Sequence, residues 1–283
     1  MACNGNCGTC GENATCTPEE KQAARKPPKT ASIRRKIVVM SGKGGVGKST
    51  IAVQLARALA AGGERVGLLD VDLHGPSVPI LMGAEGARMT GTGEMMDPVV
   101  SGPIKVASVG FLLQDRDAAV VWRGPLKIGV IQQLLENVAW GELDTLVVDC
   151  PPGTGDEPLT VCQLLAGAGT GAVIVTTPQD VAAADVARSI RFAEDVGLPV
   201  WGLVENMSGF VCPHCGKTTD VFGSGGGEKL AKRFGVPFAG KVPLDGAICA
   251  SGDKGRSLRE TEGSPAALDA IQAVVANILA VAG

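Results

Sequence analysis

The chain has 283 residues, 45% of them apolar and 19% charged, and a formal net charge of −3. That describes a globular chain able to bury about 75% of its unfolded surface, and it argues against general nucleic-acid binding, which shows a basic excess. Aromatic residues are only 3% of the chain and tyrosine is absent, which argues against stacking platforms for single strands.

Residues 1–30 hold no apolar segment of the kind a secretory signal needs, so a cytoplasmic protein is expected. Nine cysteines in such a chain point to chemistry more than to disulfides. Four of them fall early, at Cys3, Cys7, Cys10 and Cys16. Four thiols around a C-x2-C core suffice for one 4Fe-4S cluster, and glycines at positions 5, 8 and 11 let the chain wrap closely. Zinc and an unliganded tail are the alternatives. Residues 1–20 thus read as a cysteine-rich segment, and the polar, proline-containing stretch 21–36 as a linker.

From Ile37 the texture changes, and 37–283 reads as one domain. Short β-branched runs ("KIVVM", "RVGLLDVD", "IKVASVG", "LDTLVVDC", "GAVIVTT", "PVWGLVEN", "PFAGKVP") alternate with helically spaced apolar residues such as Ile51, Leu55 and Leu59. The pattern predicts an α/β fold with a mostly parallel sheet covered by helices on both faces.

The stretch "GKGGVGKS", Gly42 to Ser49, satisfies G-x-x-x-x-G-K-[ST] between a strand and a helix. Gly44, Gly45 and Gly47 free backbone N–H groups to converge on phosphate, with Val46 between them and Thr50 opening the helix. Lys48 offers a charge to the terminal phosphates and Ser49 a hydroxyl to Mg2+. Lys43 is one lysine more than such a cradle needs.

Two strands end in carboxylates, at Asp70 followed by Asp72 and at Asp149. Asp72 and Asp149 are candidates to hold Mg2+ through water; Asp70 reads equally as a structural strand end. Gly153 and Gly155 would let the next loop rearrange with the γ-phosphate. Leu159 to Thr177 is uncharged and as long as a membrane span, but Gly167, Gly169 and Gly171 interrupt it. It reads as a buried helix, a turn and a buried strand.

Cys212 and Cys215 form a C-P-H-C turn, which aims two thiolates at one metal. A cluster, structural zinc, a redox dithiol and ligation by His214 are all open to it. Cys150, Cys162 and Cys249 stand alone and read as buried small hydrophobes. The last helix, about Pro265 to Val281, carries Leu268, Ile271, Val275, Ile278 and Leu279 on one face and no basic residue, the pattern of a helix packed on the sheet rather than one lying on a membrane.

A second lysine at the position of Lys43 resembles the deviant Walker A class, which includes MinD, ParA, the nitrogenase iron protein and the Mrp carriers. "VVWRGPLK" (120–127), "WGELDTLVVDCPPGTGDEPLT" (140–160), "VENMSGFVCPHCGK" (204–217), "FGSGGGEKLA" (222–231) and "GKVPLD" (240–245) resemble the Mrp family of ATP-binding iron–sulfur carriers. The likeness runs from about Ile37 to the C-terminus, and it implies an ATPase that transfers 4Fe-4S clusters to apoproteins. It also implies a homodimer, or a heterodimer with a paralogue, whose shared cluster is bridged by Cys212 and Cys215. Lys43 would reach across that dimer to the partner's nucleotide, and loops carrying Asn206, Pro243 and Asp245 would line the adenine pocket. An Asn can pair with the adenine edge, though Asn206 also reads as a turn residue. The N-terminal cysteines resemble the ferredoxin-like motif of the family's eukaryotic cytosolic branch, with a shorter first gap. The other expected partners are apoprotein clients and cluster donors, with neither nucleic acid nor membrane. The alternative function is a MinD- or ParA-like regulatory ATPase with zinc at the C-x-x-C.

Overall fold

The computed structural model describes residues 29–113, 124–179, 182–212, 214, 215, 217–261 and 265–283. Cys3, Cys7, Cys10 and Cys16, with the segment that carries them, lie outside the described residues.

The strands expected from the β-branched runs are all present. In chain order they are β1 (Arg35–Met40), β2 (Val66–Asp70), β6 (Ile104–Ser108), β7 (Thr145–Asp149), β8 (Thr170–Thr176), β9 (Val200–Val211) and β11 (Phe238–Leu244). The short β3 (Thr90–Thr92), β4 (Met95–Asp97), β5 (Val99–Ser101) and β10 (Thr218–Thr219) had no distinct sequence signal. The sheet order is β10-β9-β8-β1-β7-β2-β6-β5, with β11 also paired to β9. β5 and β10 join antiparallel and the remaining pairings of this sheet are parallel. β3 and β4 form a separate antiparallel ribbon.

The helices are α1 (Lys48–Ala61), α2 (Val78–Leu81), α3 (Gly124–Glu136), α4 (Asp156–Leu165), α5 (Ala183–Asp195), α6 (Gly226–Phe234), α7 (Gly246–Asp253) and α8 (Pro265–Ala282). They cover both faces. Ile51, Leu55 and Leu59 of α1 and Ile271, Val274 and Ile278 of α8 pack with Ile37, Val39, Leu68 and Val147 on one side. Ile131, Leu134 and Leu135 of α3 and Val161 and Leu165 of α4 pack with Val38, Met40, Leu69 and Val148 on the other. Alternate residues of each central strand thus face opposite layers, as a doubly covered parallel sheet requires. The uncharged stretch from Leu159 resolves into α4, a turn and β8. α8 is long and apolar enough by length and composition to cross a membrane, but Ala267, Ile271, Val274 and Ile278 are buried in the core.

Two expectations need correction. The packed unit begins before Ile37: Lys29–Ser32 form a 3-10 turn, Thr30 and Ile33 are buried, and β1 starts at Arg35. The charge of "RRK" mimics linker because the partners lie far off in sequence. Arg35 bonds Glu64 (2.9 Å) and Thr145 (3.0 Å), and Lys36 donates to the carbonyl of Ala168 (3.4 Å) as well as to the nearby one of Ile33 (3.0 Å). Cys249 is exposed on α7, whereas Cys150 and Cys162 are buried. An eight-residue helix at the edge of a cavity has no layer above it to bury that side chain.

Candidate functional site

All the central parallel strands point their carboxyl ends at one edge of the sheet, where ligands bind in open α/β folds. The loop between β1 and α1 lies there, and α1 begins without a side-chain cap, which leaves its first N–H groups for an anion. Gly47 is the N-cap, at φ 80°. A Cβ there would lie 2.3 Å from Asn206 Nδ2, and one on Gly42 would lie 2.4 Å from the carbonyl oxygen of Asp185. Glycine is therefore required at Gly42 by close approach to the backbone of the first turn of α5, and at Gly47 by its left-handed backbone. At Gly44 and Gly45 a Cβ would meet nothing within 4 Å, so the cradle is open on the ligand side.

Register brings the carboxylates together. β2 and β7 are neighbours with Asp70 opposite Asp149, and both side chains are fully buried. Lys48 Nζ sits 2.6 Å from Asp149 Oδ1 and 3.8 Å from Asp72 Oδ2. Asp70 Oδ1 accepts from the backbone N–H of Asp72 (3.0 Å) and Oδ2 from Ser108 Oγ (2.9 Å). Burial opposes the charge on Lys48, yet Asp149 and Asp72 outweigh it and hold its pKa above the usual value. Burial also pushes Asp149 upward, against the pull of Lys48. Asp70 is raised to about 8 by burial and by the charge of Asp149. Of two adjacent carboxyls the one beside an ammonium ionises and the other keeps its proton, so Asp70 is the neutral member.

Lys43 is half-buried and its carbonyl accepts from Ser41 Oγ (2.9 Å). Asn206, Pro243 and Asp245 line one cavity of about 270 Å³, together with Gly47, Thr50 and Met207. Asn206 Nδ2 donates to the Val46 carbonyl (2.8 Å), while Asp245 caps α7 by accepting from the Ala247 N–H (2.7 Å). The exposed Cys249 lines the same cavity.

Cys212 and Cys215 lie in the turn between β9 and β10, whose pairing closes a short hairpin. Cys212 is half-buried, Cys215 is exposed, and the Cys212 N–H donates to the Lys217 carbonyl (3.0 Å). Backbone N–H groups of His214 and Cys215 and the Cys215 thiol stabilise the Cys212 thiolate and lower its pKa. Burial pushes Cys162 up to about 12 and Cys150 well above its ordinary value. Of these two pairs, only the one in the hairpin is suited to metal. Among the described residues no three His, Cys, Asp or Glu side chains are placed to hold one metal ion between them.

Two residues that matter carried no sequence signal. The fully buried Glu205 carboxylate accepts from the N–H groups of Gly225 (2.8 Å) and Gly227 (2.6 Å) and from Ser208 Oγ. Met207 has φ 57° and is the sole non-glycine with positive φ among the described residues. Both lie inside the family-like stretch "VENMSGFVCPHCGK", but nothing local in it marks Glu205 as a staple or Met207 as left-handed; only their distant partners do.

The site fits a magnesium nucleotide on three counts: the open glycine cradle, the cavity beside it, and the buried Asp149 Oδ2, which has no hydrogen-bond partner. Comparison with known proteins agrees on the nucleotide. The chain is 48% identical to an iron-sulfur cluster carrier protein of Methanocaldococcus jannaschii over 89% of both chains. It is 51% identical to the human cytosolic Fe-S cluster assembly factor NUBP2, over 87% of this chain and 92% of that one. A nucleotide-binding protein of Archaeoglobus fulgidus, solved in complex with ADP, is 42% identical with a TM-score of 0.73, over 85% of this chain and 93% of that one. The cell-division ATPase MinD of Pyrococcus furiosus shares the fold, with a TM-score of 0.57 at 21% identity over 88% and 99%. Residues 32–279 match the ParA family model described as the NUBPL iron-transfer P-loop NTPase, and with the lysine-bearing loop at the carboxyl edge of a MinD-like sheet the chain belongs to that family.

Proposed function

We propose that this protein carries 4Fe-4S clusters and transfers them to apoproteins in a cycle set by ATP. The observation that carries the reading is the position of Cys212 and Cys215, accessible thiols on a hairpin whose parent strand touches the phosphate loop through Asn206. Two cysteines supply half of the four thiolates that hold a four-iron cluster. A two-fold pair of chains supplies the rest from identical surfaces, so a homodimer, or a heterodimer with a paralogue, is part of the proposal. The relatives, an iron-sulfur cluster carrier protein and a cytosolic Fe-S cluster assembly factor, support cluster transfer and a cytoplasmic setting.

Bound Mg2+ would screen the phosphate charge. In this chain Ser49, Asp72 and Asp149 are the residues to hold it, through the hydroxyl and the carboxylates. Lys48 would exchange Asp149 for phosphate oxygens. Asn206, with its amide N–H₂ committed to Val46, has its carbonyl oxygen left to accept from an adenine amino group. Lys43 is assigned to the nucleotide of the partner subunit. Cys3, Cys7, Cys10 and Cys16 are assigned to a second cluster.

The test is metal analysis after anaerobic reconstitution with iron and sulfide. The wild type is expected to hold iron and sulfide in equal amounts. The double variant Cys212→Ser/Cys215→Ser should lose the cluster that moves to an apoprotein, while Cys7→Ser/Cys10→Ser should lose a separate one. Stoichiometric zinc at Cys212 and Cys215, unchanged by iron loading, would overturn the reading.

A further inference from the structure

Strand β9 is irregular where it passes from the cavity to the cysteine hairpin. Against β11, Asn206 pairs with Val242 and Phe210 with Leu244, so β9 uses more residues than its partner over the same span. The surplus bulges at 207–209, and bulges beside sites re-aim the chain that follows. Met207 opens the bulge at φ 57°, and Gly209 follows at φ 75°. A left-handed methionine is strained and persists only where its surroundings hold it.

The two sides of the bulge are held differently. Before it, β9 pairs with β8 and β11, and the Glu205 carboxylate ties it to the start of α6. After it, only Phe210 and Val211 remain before Cys212, and they pair with the two-residue β10 and with Leu244. Met207 also faces the cavity. It is one of the lining residues, and its methyl carbon lies 3.7 Å from where a Cβ on Gly47 would stand.

We infer that Met207 is a positioning residue that couples the two sites: whatever fills the cavity presses on its side chain, and the bulge at 207–209 turns that contact into a changed presentation of Cys212 and Cys215. The inference rests on the proposed nucleotide and cluster sites. A ligand moves such an equilibrium only by binding its two states unequally, and Met207 is where that inequality arises.

The test is the rate of alkylation of Cys212 and Cys215 in cluster-free, full-length protein at fixed pH. Rates are resolved by peptide mass spectrometry, with and without saturating MgADP. In the wild type, MgADP is expected to change both rates about 5-fold or more, the lower end of ordinary coupling. Met207→Leu keeps the bulk in the cavity and should keep the response. Met207→Gly relaxes the backbone and removes the contact, so it should bind MgADP yet lose the response. Met207→Asn also tolerates this backbone and serves as a second variant, with folding of each checked by thermal melting. A response that survives in either nucleotide-bound variant, or a wild type that shows none, overturns the inference. Iron loading of the same wild-type preparation reports on cluster binding separately, so the two readings fail independently.

Discussion

Lys48 Nζ and Asp149 Oδ1 form a buried ion pair of 2.6 Å that ties the phosphate loop to the end of β7. The lysine proposed to meet the phosphates is thus already engaged, and a bound phosphate would compete with a carboxylate for its N–H groups. Removing one partner of a buried pair leaves the other uncompensated, at a cost of about 3–5 kcal/mol. Lys48→Ala should therefore destabilise the nucleotide-free protein at pH 8 by that order. The loss should be smaller at pH 5, where a stranded Asp149 takes up a proton. Lys48→Ala/Asp149→Asn should recover most of the stability in denaturant titrations while still failing to bind nucleotide. A double variant no more stable than the single one would show that the pair does not carry this energy.

Asp70 sets a pH dependence of opposite sense to that of most carboxylates. Its pKa rises from an ordinary value of 3.8 to about 8 on folding. Between those values the folded state holds a proton that the unfolded chain lacks, so stability falls as pH rises, by at most about 1.4 kcal/mol per pH unit. Asp70→Asn mimics the protonated acid and removes this slope. Relative to the wild type, the variant should gain stability steadily from pH 5 to pH 8 in paired denaturation curves. A difference that stays flat with pH would mean that Asp70 is ionised throughout.

Glu205→Ala should cost more than an ordinary surface change, because the N–H groups of Gly225 and Gly227 lose their acceptor. Unsatisfied buried donors cost about 1–3 kcal/mol each. Thermal melting should place Glu205→Gln, which keeps one acceptor oxygen, between the wild type and alanine. Equal melting points for all three would remove the staple between β9 and α6 from the account.

Lys43→Ala should retain nucleotide and lose hydrolysis by roughly 10³-fold, the scale of a charge supplied in trans. Wild-type turnover per subunit should also fall on dilution. Equilibrium binding and single-turnover assays read the two effects separately, and turnover that ignores dilution would place the catalytic charge within one chain.

Legibility varied with how local the signal was. The glycine–lysine loop was readable because its spacing is its function: consecutive residues make the cradle. The strands were readable from β-branched runs, and both covering layers from the helical patterns that alternate with them. β10 was not readable, since two residues paired across a cysteine-bearing turn have no pattern of their own. Arg35 and Lys36 misled because a buried charge looks like a solvated one until Glu64 and Thr145 are seen beside Arg35 and the Ala168 carbonyl beside Lys36. Cys249 misled because cysteine is so often buried, and nothing local said that α7 borders a cavity.

By itself the sequence determined the α/β class, the phosphate loop and the separation of one cysteine pair from three solitary thiols, all of which depend on residues close together in the chain. Only the tertiary structure decided that Asp70 and Asp149 share a strand boundary, that Lys48 is held by Asp149, and that a left-handed Met207 stands between cavity and cysteines. Those facts depend on register and on contacts between distant segments. A one-residue slip in pairing would reverse the faces of a whole strand, and no short-range pattern encodes such pairing.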